Sequence, residues 1–481
     1  VRVWQICPLG PTGYGDSPYQ CLSARAGNPL LVDLEDLAAR GWLPARSVPS
    51  WDASDRVDYG AVIPRKAALL AEARDRFRVS AVARDRDELA AWAAAESPWL
   101  DEYCLFAALK RRFSLAAWTS WPRPWRDRDP EALAAARKEL EDDIGLERFI
   151  QWNFARQWMA LRARARERGV MILGDMPIYA AQDSVEAWAS RNLFQVRPDG
   201  SPGAVAGVPP DYFSPDGQLW GNPLWDWKAL AADGFAPWTE IVAAQLERYD
   251  ALRIDHFRGF SEYWAVPPDA TTARSGTWRR GPGIAPFIAL AEAVESRGAA
   301  EGRTGSASRR PGSSLPIVAE NLGALGWRAR LLLRRSGFPG MKVLQFAFDS
   351  AEGGRHDPDR GAPDCVLYTG THDNDTTAGW FASASERDRA RALSWLGVSA
   401  REAADADFPR ELPWRFIRAA LESPCRIAVV PVQDLLSLGS GARMNRPGTA
   451  GGNWTWRLLH GQLDGGIARR LRSLAEASGR I

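Results

Sequence analysis

Cysteine is scarce in this chain: there are five, at Cys7, Cys21, Cys104, Cys365 and Cys425. Their odd number, wide spacing and lack of any Cys-x-x-Cys pair argue against a disulfide framework or a zinc site. A reducing compartment, the cytoplasm, is the simpler expectation. Histidine is scarcer still, and none of His256, His356, His372 and His460 stands in a His-x-x-x-His spacing. No metal is expected, because no loop clusters the oxygen ligands that calcium needs either. No apolar run approaches the roughly 18 residues of a membrane span, and no basic segment followed by an apolar one opens the sequence. Net charge is missing too: 61 Lys and Arg stand against 59 Asp and Glu. Without a global field, neither nucleic acid nor an anionic membrane is an expected partner. A neutral partner fits better.

Tryptophan, by contrast, is abundant, with 23 against 9 Tyr and 17 Phe. An indole can floor a sugar site, since the apolar face of a pyranose packs on the ring while its hydroxyls find polar partners. Most of the 23 are nonetheless expected in the core. Short apolar runs recur at 3–9, 170–173, 251–254, 316–319, 343–348, 365–368 and 427–432, with helical patterns between them. Strands alternating with helices predict βα units and a parallel sheet. The seven runs are one short of a closed (β/α)₈ TIM barrel, which as one unit can exceed about 400 residues. Residues 1–27 are then a barrel strand with an active-site loop, 28–143 an inserted, mainly helical subdomain, and 144–481 the remainder of the catalytic barrel. In the insertion Leu105, Leu109 and Phe113 show the three- and four-residue spacing of helices. Residues 298–315, rich in Gly, Ser, Ala and Arg, are expected to form a flexible insertion.

Three of the runs end in a carboxylate: Asp255 after Leu252-Arg253-Ile254, Glu320 after Ile317-Val318-Ala319, and Asp373 after Thr369-Gly370-Thr371-His372. The carboxyl ends of parallel strands are where a barrel keeps its chemistry. Acids converging there suggest attack on a glycosidic bond. Arg253, two before Asp255, would point to the same side of its strand and could hold that carboxylate ionised, as a nucleophile must be. The plainer alternative is an ion pair capping a strand. Glu320 would have to be protonated to donate to a leaving oxygen, and anionic neighbours favour that form. Its plainer alternative is a solvated strand end. Thr371-His372-Asp373-Asn374-Asp375 offers hydrogen-bonding groups of the kind that paired sugar hydroxyls need.

Longer motifs surround these acids. They include Pro8-Leu9-Gly10-Pro11-Thr12-Gly13-Tyr14-Gly15-Asp16-Ser17-Pro18-Tyr19, Gly174-Asp175-Met176-Pro177, Ala206-Gly207-Val208-Pro209-Pro210-Asp211-Tyr212-Phe213-Ser214 and Gln218-Leu219-Trp220-Gly221-Asn222-Pro223. Further along stand Arg253-Ile254-Asp255-His256-Phe257-Arg258-Gly259, Gly340-Met341-Lys342-Val343-Leu344-Gln345-Phe346, Thr371-His372-Asp373-Asn374-Asp375-Thr376 and Ala442-Arg443-Met444-Asn445-Arg446-Pro447-Gly448. With these the chain closely resembles, nearly end to end, the 4-α-glucanotransferases known as amylomaltase or disproportionating enzyme, relatives of the α-amylases. The resemblance implies a cofactor-free, monomeric enzyme acting on maltooligosaccharides and on glucans derived from starch or glycogen. It makes Asp255 the nucleophile, Glu320 the general acid and then base, and Asp373 the acid that grips sugar hydroxyls and favours the distorted ring. Retention by double displacement sets the nucleophile and the acid about 5 to 5.5 Å apart. Asp175, Arg253, His256 and His372 match positions around the sugar at the cleavage point. Tyr19, Trp220 and Phe346 match glucan-lining positions, with Gln218 and Asn445 as polar contacts. Residues 204–223 would form a lid in which Pro209 and Pro210 stiffen the backbone, and Asp211, Tyr212 and Phe213 cover the intermediate from water.

Two departures from the family pattern stand out. Asn321 occupies a position where Asp is usual, and losing that negative neighbour should weaken Glu320 as an acid at neutral pH. Val3-Trp4-Gln5-Ile6 matches the family's second barrel strand, so the first βα unit, roughly 30 residues, is expected to be lacking. Strands two and eight would then face an open seam. Two alternatives to an active transferase follow: an inactive or weakly active glucan-binding remnant, and a mainly hydrolytic α-glucosidase or amylase.

Overall fold

The computed structural model describes residues 1–50, 54–210, 214–300, 315–323, 325–348, 363–449 and 451–481. Asp211, Tyr212, Phe213 and nearly all of 298–315 lie outside the described side chains. The chain divides into two compact units, one of residues 1–52, 58–255 and 259–316, the other of 53–57, 256–258 and 317–481.

In the first unit three strands run parallel: β1 (Val3–Gln5), β2 (Met171–Met176) and, after the hairpin below, β5 (Ala251–Ile254). Strand β2 lies between the other two, with Val3 opposite Met171 and Asp175 opposite Arg253. Gly174 is required where β2 passes Tyr249, since a Cβ there would sit 2.1 Å from the tyrosine ring. The segment expected to be a lid loop contains β3 (Val205–Val208) and β4 (Gln218–Pro223), which pair antiparallel. With β6 (Glu262–Val266) and β7 (Thr277–Arg280) they form a four-stranded sheet in the order β4-β3-β6-β7. The sequence reading missed this sheet because its runs are short, and those of β3 and β4 are interrupted by Gly207 and Gly221.

Helices dominate residues 28–143 and start where capping residues permit. Asp33, Asp58 and Asp129 each accept a backbone N–H from the first turn that follows, and Pro130 takes the first helical position where no donor is needed. Helix Trp99–Arg112 buries Leu100, Tyr103, Leu105, Phe106 and Leu109 and packs against helix Glu141–Glu167. Tryptophan fills these interfaces: Trp42 meets the Phe77 ring edge-on at 4.9 Å and lies 5.6 Å from Trp152. Trp118, Trp188 and Trp238 are likewise fully buried.

Lys66, on helix Tyr59–Ser80, is also buried, and its ammonium donates to the Leu30 carbonyl at 2.6 Å. Burial pulls its pKa down to about 8 from the ordinary 10.5. Between those values the unfolded chain binds more protons than the folded one, so stability rises with pH across that window. Lys66→Met should flatten the rise, which chemical denaturation at about pH 7, 8.5 and 10 checks; parallel slopes for both proteins would contradict it.

The second unit holds four parallel strands, β8 (Ile317–Ala319), β9 (Gly340–Val343), β10 (Cys365–Tyr368) and β11 (Ile427–Val429). Each pairs with the next along that order. The expected strand at 343–348 is displaced: β9 stops at Val343 and Leu344–Ala347 form a helical turn. An apolar run crossing both elements hid the boundary. Under β10 lies a core of Leu344, Phe348, Leu367, Phe408, Leu412 and Phe416.

The expectation against disulfides is corrected at one pair, because Cys365 and Cys425 form a disulfide. Both are buried, and they precede the facing strand residues Val366 and Ile427. Sequence separation concealed them, since parallel pairing brings together residues 60 positions apart. A bridge of that span stabilises chiefly by restricting the unfolded chain, typically by about 2–4 kcal/mol. The double variant Cys365→Ala/Cys425→Ala should lose that stability and become insensitive to reductant, as thermal melts with and without dithiothreitol would register. Among the described residues, no helix is long and apolar enough to cross a membrane.

Candidate active site

The first unit gathers Tyr19, Asp175, Arg253 and Asp255. Because Asp175 and Arg253 are register partners on β2 and β5, their side chains leave the sheet together. Arg253 Nη1 donates to both Asp175 oxygens at 2.8 and 2.7 Å, and Nη2 donates to Asp255 Oδ1 at 2.8 Å. Tyr19 adds a hydroxyl donor to Asp175 Oδ2 at 3.0 Å. Burial, and then the charge of Asp175, push the Tyr19 hydroxyl well above its ordinary pKa, so it remains a donor. Asp175 and Arg253 are nearly inaccessible, whereas the Asp255 side chain is 30% exposed. One guanidinium thus serves two carboxylates. Asp255 is oriented through one oxygen, while Oδ2 takes no hydrogen bond among the described residues.

In the same unit, Trp220 and Gln218 stand two apart on β4 and share a hydrogen bond of 3.2 Å from the indole Nε1. Gln20, beside Tyr19, donates to Asn222 Oδ1 at 3.0 Å and to the Trp220 carbonyl at 3.4 Å. Asn222 in turn donates to the Ala180 carbonyl. This ties the β4 hairpin to the loop that carries Tyr19. Gln20 and Asn222 were not among the sequence candidates, although both lie in or beside the motifs that supplied them.

In the second unit Glu320 follows β8 and is buried. Its Oε2 accepts the His256 N–H at 2.9 Å, its backbone carbonyl accepts the Phe257 N–H at 3.0 Å, and Oε1 accepts from Leu322 N. His256 has φ +50°, a left-handed turn that bends two successive N–H groups toward this residue. Asn321 Oδ1 accepts the Met341 N–H at 2.6 Å. Gly340 must be glycine for that approach, because a Cβ would lie 2.8 Å from Asn321 Nδ2.

The loop after β10 presents Asp373. Asn445 Nδ2 donates to its Oδ1 at 2.6 Å, and His372 Nε2 lies 3.5 Å from its Oδ2. The His372 ring rests against Trp454 at 5.6 Å. Arg443, which the sequence reading did not single out, donates to the backbone carbonyls of both Asp373 and Asn445. Asn374 closes the loop by accepting from Thr371 N and Oγ1. Phe346 is half-buried on the turn after β9. No group of three or more His, Cys, Asp or Glu among the described residues could hold a metal.

Comparisons with known proteins place the whole chain in a family. A sequence model described as 4-alpha-glucanotransferase matches residues 1–462. The chain belongs to the 4-alpha-glucanotransferase family. It is 43% identical to the 4-alpha-glucanotransferase of Thermus thermophilus over 100% of this chain and 92% of that protein. With that of Synechocystis sp. it shares 42% identity over 99% and 90%. Among solved structures it is similar to the amylomaltase of Streptococcus agalactiae in complex with acarbose. That likeness has a TM-score of 0.90 and 33% identity, over 100% of this chain and 92% of that one. The fold class is therefore that of a TIM-barrel-like α/β protein, with seven parallel strands among the described residues.

Against the family's pattern, Asn321 shows what its site requires. The bond to Met341 N needs an oxygen acceptor, which either Asn or Asp supplies, so Asn321→Asp should leave the strand contact and stability intact. It would add a charge beside Glu320 and move the pH–rate profile for maltotriose upward, since a nearby anion favours a protonated acid. Superimposable profiles for the two proteins would refute this.

Proposed function

We propose that the chain transfers α-1,4-glucan segments between maltooligosaccharides by a retaining double displacement. Asp255 attacks the anomeric carbon while Glu320 gives its proton to the leaving oxygen, which forms a glycosyl ester and frees the first product. Glu320 then takes the proton of an acceptor sugar's 4-hydroxyl as that oxygen displaces Asp255. Asp373, with His372 and Asn445, holds the hydroxyls of the reacting sugar. Tyr19, Gln218, Trp220 and Phe346 bind neighbouring units, and Asp211, Tyr212 and Phe213 cover the intermediate against water. The substrates are maltooligosaccharides and glucans derived from starch or glycogen. We place the enzyme in the cytoplasm as a monomer without nucleic-acid or membrane partners.

The observation that carries this reading is Arg253 shared between Asp175 and Asp255. It supports an oriented, partly exposed carboxylate with one oxygen that takes no hydrogen bond among the described residues, as attack on a sugar carbon requires. Product analysis on maltotriose tests it: oligomers longer than the substrate, together with glucose, are expected. Glucose and maltose alone would make the chain a hydrolase, and binding without turnover would make it a glucan-binding remnant.

A further inference from the structure

We infer that Asp434 is a positioning residue for Asp373, pinning both ends of the loop that presents it. Asp434 lies in the helical turn Val432–Leu435 that follows β11, with 1% of its surface exposed. Its Oδ2 accepts from the hydroxyls of Thr369 and Thr377, each at 2.7 Å, and its Oδ1 accepts the Thr377 N–H at 2.8 Å. Thr369 is the residue after β10, and Thr377 begins the helix Thr377–Ser383; both are fully buried. Between them run residues 370–376, with His372 and Asp373 at the middle. One carboxylate therefore sets the distance between the two feet of this loop.

The neighbouring side chain acts on the other half of the same contact. Gln433 donates from Nε2 to the Ala442 carbonyl at 3.2 Å, anchoring the segment that delivers Arg443 and Asn445 to Asp373. Two consecutive residues thus orient both partners of the Asp373–Asn445 bond. A buried carboxylate is costly unless its lone pairs are used, and here three donors converge on it. Alanine would leave those donors without a partner. Asparagine would not: its oxygen can accept from Thr377 N, and its amide hydrogens can meet hydroxyls rotated to accept. The role is tethering, so shape and bonding matter more than charge.

The inference rests on the reading of Asp373 as the sugar-gripping acid, and its test separates the two. Turnover of maltotriose and affinity for acarbose by calorimetry would be measured on the full chain and on Asp434→Ala, Asp434→Asn, Thr377→Val, Asp373→Ala and the double variant Asp434→Ala/Asp373→Ala. Asp434→Ala should lower kcat by about 10- to 100-fold and weaken acarbose comparably, as misplacement of a reacting group does. Asp434→Asn should stay within about 3-fold of the parent, and Thr377→Val should lose several-fold. In the Asp373→Ala background, Asp434→Ala should cost less than about 2-fold more, because its effect passes through Asp373. An undiminished cost in that background overturns the inference, as does a folded Asp434→Ala with parental kcat and affinity. If Asp434→Ala fails to fold, Thr377→Val decides in the same two backgrounds. A parent that binds acarbose in an Asp434-dependent manner but makes no longer oligomers keeps the inference and removes the transferase reading. Transfer that is indifferent to Asp434 does the reverse.

Discussion

Asp255→Asn lowers kcat for maltotriose disproportionation by roughly 10⁴-fold or more while leaving the chain folded. An amide cannot form the glycosyl ester, and no other described carboxylate of its unit shares Arg253 while also being exposed. The fold tolerates the change because the asparagine oxygen can still accept from Arg253 Nη2, and the buried Asp175–Arg253 pair keeps its two bonds. Melting should therefore shift by no more than about 1 kcal/mol in stability, the range for substitutions that leave buried partners satisfied. The smaller Asp255→Ala leaves space for azide. Recovered turnover that releases a glycosyl azide of inverted configuration would assign the nucleophile directly. Residual activity within about 10-fold of the parent would exclude Asp255 from that role.

Arg253→Ala is expected to damage both stability and activity. It removes the guanidinium from both Asp175 oxygens and leaves that buried carboxylate without these two charge-assisted bonds. Breaking a buried pair in this way typically costs about 3–5 kcal/mol, because the remaining charge is left desolvated. Lysine should not rescue it. A point charge cannot bridge two carboxylates as the planar fork of arginine does. The double variant Arg253→Met/Asp175→Asn should recover much of the stability, since no uncompensated charge remains, yet stay inactive because nothing orients Asp255. Denaturation curves and maltotriose kinetics on the three variants separate these effects. If stability and turnover recover together, Arg253 would be a structural residue alone.

The strand-end acids were legible because a parallel α/β sheet writes itself as short apolar runs, each followed by a polar loop. Asp255, Glu320 and Asp373 ended such runs, and the Arg253–Asp255 spacing put two side chains on one side of a strand. The family motifs supplied Tyr19, Asp175, His372 and Asn445. Other features depended on register. Nothing local to Asp175 says that Arg253 lies opposite it, 78 residues away. Cys365 and Cys425 read as isolated thiols until β10 and β11 paired, and Asp434 read as an ordinary helix residue until Thr369 and Thr377 closed on it. His256 gives its N–H to Glu320 from a turn of positive φ, which is not written in the residue type.

Alone, then, the sequence determined the candidate site and its setting: three acids at strand ends, the family to which the chain belongs, and an alternation of strand and helix that fixes the fold class. Such features are carried by residues close together in the chain, where periodicity and motif spacing record them. The tertiary structure decided how that chemistry is held: the guanidinium shared by Asp175 and Asp255, the backbone donors on Glu320, the disulfide, and the Asp434 tether beneath Asp373. Each includes a bond between groups dozens of residues apart, which only the folded chain makes neighbours.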